Sequence, residues 1–120
     1  MNVQLRKTAE IPYLEGVPGH LLITEERDAV DLVGLCGEHD VSRLMLHADN
    51  VTEHFFDLKT QLAGLVLQKF VNYGVKSVLV LPTDARQHGR FHEMAIEANK
   101  GRHFGVFYNR AQAEEWLIKM

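Results

Sequence analysis

"FFDLKTQLAGLVLQKFVNYGVKSVLVLP", residues 55–82, sets two hydrophobic patterns end to end. From Leu58 to Tyr73 the apolar residues Leu58, Leu62, Ala63, Leu65, Val66, Leu67, Phe70, Val71 and Tyr73 recur at helical spacing. A narrow polar stripe runs through Gln61, Gln68 and Asn72, widened at its start by Lys59 and Thr60, and Gly64 falls within it. Then Val78, Leu79, Val80 and Leu81 are apolar in succession and Pro82 stops the run. Such a run reads as a strand covered on both faces. A helix leading straight into a doubly covered strand predicts an α/β domain.

A helix lying on a sheet needs an apolar arc of only about 100°. Residues 58 to 73 have more, so something besides the sheet is expected to cover them. One cover is a neighbouring helix of the same chain, either the first helix or the "TEHFF" turn. The other is a second copy or a protein partner. Glycine costs about 1 kcal/mol relative to alanine inside a helix, so Gly64 is expected where another backbone or a ligand comes close, the alternative being a tolerated glycine with no such role. Gln61, Gly64 and Gln68 are therefore the candidate interface.

Outward from this stretch, "SRLMLH" at 42–47 precedes the polar "ADN" and reads as a buried strand, and Thr52 and Asp57 are possible caps for the helix that follows. In "LLITEERDAVDLVGLCGEHD" Thr24 is the expected N-cap, Glu25 and Glu26 suit the positive helix start, and Ala29, Leu32, Val33 and Cys36 share one face up to about His39. Before it, Val3 and Leu5, then Ile11, Tyr13 and Val17, predict two short strands joined by a turn. After residue 82, Phe91, Met94, Ala95 and Ala98 predict a helix closing at Asn99 and Gly101. "HFGVFY" predicts a strand, and Asn109 with Gln112 predicts a capped last helix whose inner face is Ala113, Trp116 and Leu117. The sum is a single domain over residues 1–120, a mixed and mostly parallel sheet of four to five strands covered by helices, with right-handed crossovers.

With 120 residues, 46% hydrophobic and 24% charged, the chain has the apolar content to fold without disulfide or metal. A net charge of -3 and no cluster of lysine and arginine argue against nucleic acid. Cys36 is the only cysteine, so no internal disulfide can form, and its apolar neighbours predict a buried, inert thiol. The first residues lack a signal-peptide core and no apolar stretch reaches the roughly 20 residues of a membrane span, so a cytoplasmic location away from membranes is expected.

The run at 55–76, with "EANKG" at 97–101 and "AVDL" at 29–32, resembles a small bacterial family known as domain of unknown function 4180, over most of the chain. That resemblance implies no activity, cofactor or catalytic residue. A second resemblance is architectural: the strand at 42–47, an acidic turn and "DLKTQLAGLVL" are similar to the strand, serine-bearing turn and helix of STAS domains, the fold of anti-sigma-factor antagonists. It implies a regulatory module phosphorylated at the helix start, where Thr60 is the nearest hydroxyl. A phosphate there would benefit from the free N–H groups of a helix N-terminus. The alternative is that Thr60 is an ordinary residue of the first turn.

In open α/β sheets ligands bind beyond the carboxyl ends of the strands, which places His47, Asp49, Asn50, Thr83, Asp84 and Asn109 around one rim. His54 and Asp57 are close enough in sequence to join them, so His47, Asp49, His54 and Asp57 form the candidate ligand rim; polar turn and capping roles are the alternative. His88 and His92 are four apart, but Gly89 intervenes and no HExxH pattern occurs, so a solvated helix edge is the better reading and no metal is expected. GxGxxG, P-loop and GxSxG turns are absent, and no cofactor or catalytic residue is assigned. The leading expectation is a non-enzymatic regulatory or protein-interaction module of STAS-like fold, paired as a homodimer or bound to a protein partner. The rival is a small-molecule binder or enzyme working at the strand ends.

Overall fold

The computed structural model describes residues 2–82 and 89–119. Alternation at the start produces a hairpin: β1 (Val3–Thr8) runs antiparallel to β2 (Ile11–Gly16), with Val3 opposite Gly16 and Thr8 opposite Ile11. Ala9 and Glu10 form its turn, both left-handed at φ 52° and 67°. Two left-handed residues match the twist of the flanking strands. Glycine or asparagine, the usual signal for that geometry, is missing here.

α1 (Glu26–Glu38) follows, burying Ala29, Leu32 and Cys36. Its N-cap is Glu25 rather than Thr24. The Thr24 backbone N–H and hydroxyl both donate to the Asp28 carboxylate, at 2.8 and 2.9 Å, so Thr24 braces the first turn from one residue further out. Burial pushes the Cys36 thiol up to about 11, which keeps it protonated and unreactive.

β3 (Arg43–His47) lies parallel to β2, with Leu44 beside Leu14. Three 3₁₀ turns then lead to α2 (Leu62–Asn72). The helix expected from Leu58 starts four residues later because Gln61 is left-handed at φ 63°. A chain that turns left-handed at one residue cannot carry the helical hydrogen-bond ladder through it. Asp57 caps the short turn Leu58–Thr60 instead, accepting from the Lys59 N–H at 3.0 Å, and Thr52 makes no side-chain cap bond.

β4 (Lys76–Val80), α3 (Gly89–Asn99), β5 (Phe104–Phe107) and α4 (Arg110–Ile118) complete the chain. The sheet order is β1-β2-β3-β4-β5, and every pair after the hairpin is parallel, as the mixed and mostly parallel expectation required. Alternation along the strands divides the core. Leu14, Leu44, Leu79 and Val106 face α1, α2 and α3, where Leu32, Val66, Phe70 and Phe91 meet them. Tyr13, Met45 and Val78 face the other way, against Ala113 and Leu117 of α4. Asn109 caps α4 by accepting from the Gln112 N–H at 3.1 Å. At its other end Arg43 donates to the Leu117 carbonyl and Lys76 to those of Trp116 and Lys119, so two cations sit at the negative helix terminus.

The surplus apolar surface of α2 is covered in part by its own chain. α1 packs beside it, with Glu26 and Lys69 3.5 Å apart, and Leu62, Ala63, Val66 and Phe70 are buried. Leu65, Val71 and Tyr73 stay exposed, Tyr73 at 60%. The close approach expected at Gly64 is absent: a Cβ built there meets no heavy atom within 4 Å. Gly64 instead borders a shallow groove of about 420 Å³ whose walls include Gln61, Leu65, Leu67 and Met94.

Candidate functional site

Because β2 to β5 are parallel, their carboxyl ends share one rim, which carries Glu15, His47, Val80 and Phe107. Two-residue alternation puts Glu15 on the same face as the buried Tyr13, beneath the start of α4. A lone carboxylate there would be costly, and the fold surrounds it with donors. Arg110, the first residue of α4, clasps both oxygens at 2.7 and 2.9 Å. His47 Nε2 lies 2.6 Å away and Arg6 Nε 3.2 Å away. Arg110 also donates to the Tyr13 hydroxyl at 3.1 Å, and that hydroxyl donates to Glu114, which accepts from Thr8 as well, at 3.1 Å.

These contacts set the ionisation. Burial alone would raise the Glu15 pKa, but the hydrogen bonds from Arg110 and His47 outweigh it and hold the group at about 2. Tyr13 is pushed up to about 12 by burial and by its bond to Glu114. The same bond to Glu15 raises Arg110 against the effect of its own burial. Since Glu15 is ionised and can only accept, His47 Nε2 carries the proton between them. A reciprocal capping box ties His47 to Asn50: the Asn50 amide oxygen accepts from the His47 backbone N–H at 2.7 Å, and the imidazole faces the Asn50 backbone N–H. The ring is therefore held from both sides.

Asn50 is fully buried and holds the loop after β2. Its amide nitrogen donates to the carbonyls of Val17 and His20 at 2.9 and 2.8 Å, and its own carbonyl accepts from the N–H groups of Leu22 and Ile23. Between that loop and the ends of β4 and β5 lies a cleft of about 500 Å³, walled by Pro18, His47, Asp49, Val80, Pro82 and Tyr108. Asp49 accepts from the Gly19 N–H at 2.8 Å across its mouth.

Of the expected rim, His47 and Asp49 come together in this cleft. His54 and Asp57 do not line it: they belong to the 3₁₀ turns before α2, where the His54 carbonyl accepts from the Thr60 hydroxyl and Asp57 caps Lys59. Asn50 lies beneath the cleft and Asn109 is spent on α4. Thr83, Asp84 and His88 lie outside the described residues. His92 Nδ1 is 2.8 Å from the Tyr108 hydroxyl. Among the described residues no group of three or more histidines, cysteines and carboxylates could hold a metal ion. Thr60 sits ahead of α2, its hydroxyl 2.6 and 2.8 Å from the carbonyls of His54 and Asp57. Gln61 and Gly64 border the α2 groove, while the Gln68 amide donates to Asn72 at 2.8 Å.

Sequence reasoning missed Tyr13, Glu15, Tyr108, Arg110 and Glu114. For Glu15 a signal existed: in "IPYLEG" it alternates with the apolar Tyr13 on a face that a sheet of this type buries. Arg110 lies 95 residues from it, and no local pattern announces that pairing.

Among the described residues no helix is long and apolar enough to cross a membrane. The family model described as Domain of unknown function (DUF4180) matches residues 8–117. No curated protein and no solved structure matches the chain.

Proposed function

The chain belongs to the DUF4180 family, and from that premise we propose that this domain is a non-enzymatic regulatory module that binds a small molecule in the strand-end cleft. The observation that carries this reading is the state of His47. It walls the cleft, yet Nε2 is committed to Glu15 and the ring is fixed against Asn50. A general base needs a nitrogen within reach of a substrate proton, and this imidazole spends its hydrogen-bonding capacity on the fold. What remains is a preformed, mostly apolar hollow with a few polar groups at the strand ends, which is the usual form of a binding site. The sequence resemblance of the strand at 42–47, its turn and "DLKTQLAGLVL" to STAS domains is what suggests the regulatory half of the proposal.

The test is a fragment screen by amide chemical-shift mapping. Ligands of the cleft shift the Ala48, Asp49, Leu81 and Tyr108 amides together. A screen whose hits never touch these four overturns the reading.

A second reading is favoured by α2, where Leu65 is exposed at the groove beside Gly64 and Val71 and Tyr73 are exposed further along. On this reading the domain associates through α2, with Gln61 and Gln68 at the contact and two copies joined about a twofold axis. A phosphoryl group on Thr60 would release that contact by adding charge beside it. Sedimentation across a concentration series tests it: a dimer that Leu65→Lys abolishes supports association, and a strict monomer overturns it.

A further inference from the structure

We infer that β1 is an interaction edge that takes a second copy of this chain, the two β1 strands pairing antiparallel about a twofold axis at Leu5 so that the two sheets become one. This contact uses neither the strand-end cleft nor the exposed face of α2.

The register of the hairpin decides which backbone groups are on offer. Asn2 stands opposite Val17, one step beyond the pair of Val3 and Gly16, and the Val17 N–H donates to the Asn2 carbonyl at 2.9 Å. Bonded and non-bonded pairs alternate along an antiparallel ladder. Gln4, Arg6 and Thr8 therefore bond to β2, while the N–H and C=O groups of Val3, Leu5 and Lys7 point out of the sheet. Pro12 agrees with this phase: it stands opposite Lys7 and has no N–H to give it. β1 ends the sheet, and among the described residues nothing bonds to those outward groups. Their complement is another extended strand. Proline and bulges commonly guard such edges, and β1 has neither.

The side chains decide the occupant and the register. Leu5 is 55% exposed although it stands opposite the fully buried Leu14. An axis at Leu5 sets the two Leu5 side chains against each other and carries the Leu14 row from one sheet into the next. Arg6 then faces Gln4 of the second copy, repeating the bond of 2.6 Å that it makes to Gln4 of its own chain. Lys7 faces Val3 of the second copy, which its aliphatic stem can cover. An axis at Arg6 or Lys7 would oppose two like charges, and one at Val3 or Gln4 would slide Lys7 past the end of the other β1. The edge is thus complementary to itself, as a twofold interface requires.

The experiment is sedimentation of the full chain across a concentration series, beside Leu5→Lys, Leu5→Glu and their equimolar mixture. The parent is expected to dimerise, each variant to pair about tenfold more weakly because like charges meet on the axis, and the mixture to recover, lysine facing glutamate. Leu5 is exposed in the single chain, so both variants are expected to keep the fold, which their amide spectra check. A folding defect would not be repaired by mixing. Amide exchange at Val3, Leu5 and Lys7 should slow as the parent dimer fills. A dimer that neither variant weakens, or that mixing does not restore, overturns the inference and leaves pairing through α2 to its own Leu65→Lys test. A strict monomer at millimolar concentration overturns it too, leaving the edge to a strand of another protein. Slow exchange of those three amides in a monomer would assign the edge to the same chain and overturn it as well.

Discussion

Gly16 packs so closely on Asn50 that a Cβ on the glycine would stand 2.4 Å from Asn50 Oδ1. Asn50 cannot step aside, since that oxygen holds the His47 N–H and its nitrogen holds two carbonyls of the loop. Gly16→Ala is therefore expected to cost about 2–3 kcal/mol, the range of overpacked cores. Asn50→Ala, which strips three hydrogen bonds from buried groups, should cost a similar amount, about 2–3 kcal/mol. In the double variant the collision with Oδ1 is gone, so the combined loss falls short of the sum. Urea unfolding of the four proteins measures the difference.

Acid should loosen the α4 clasp over a defined range. Glu15 has a folded pKa of about 2 against an ordinary 4.5, so its contribution is complete above pH 4.5 and is lost as pH falls toward 2. The shift corresponds to about 3 kcal/mol. Glu15→Gln should lower stability at neutral pH by a similar amount and flatten the acid limb below pH 4.5. Denaturant melts of both proteins at neutral pH and at pH 3 provide the check.

Gly64→Ala should stabilise the free chain. Gly64 is the third residue of α2 with open space at the Cβ, and the preference of alanine over glycine in a helix interior, roughly 0.5–1 kcal/mol, is the upper bound on the gain in this first turn. A higher thermal midpoint in dilute solution is the expected result. If copies pair through α2, the same methyl group would hold the helices apart, and sedimentation at high concentration would show weaker association.

The hairpin turn is open to improvement. Ala9 and Glu10 both occupy left-handed backbone that L-residues with a Cβ disfavour. Replacing them together, Ala9→Asn with Glu10→Gly, should add about 1 kcal/mol. The exposed Lys7 and Glu10 pair lost in the exchange contributes little. Slower hydrogen exchange across β1 would accompany the gain.

The legible parts of this fold were those written in local pattern. "KSVLVLP" announced β4 because its short, valine-rich apolar run ends at Pro82, as a strand with both faces covered does, and Asn109 with Gln112 marked the start of α4. The start of α2 was misplaced because Leu58, Lys59 and Thr60 keep helical spacing, while the left-handed turn at Gln61 carries no glycine to betray it. Half of the expected rim followed from strand-end geometry: His47 and Asp49 line the cleft. His54 and Asp57 were placed by nearness in sequence, and the 3₁₀ turns carry them toward α2. The grip of Arg110 on Glu15 depends on the sheet being assembled, so no window of residues could reveal it.

Because the strands lie side by side in the order they occur in the chain, a polypeptide emerging from a ribosome can lay them down one after another, each on the edge just completed. One debt stays open through that process. The acid at the end of the second strand takes its guanidinium from 95 residues further along, so the last helix acts as a latch that closes only after all five strands have been laid down. Before that point only Arg6 and His47 can hold the carboxylate, and the sheet face beneath the last helix stays uncovered until the latch engages.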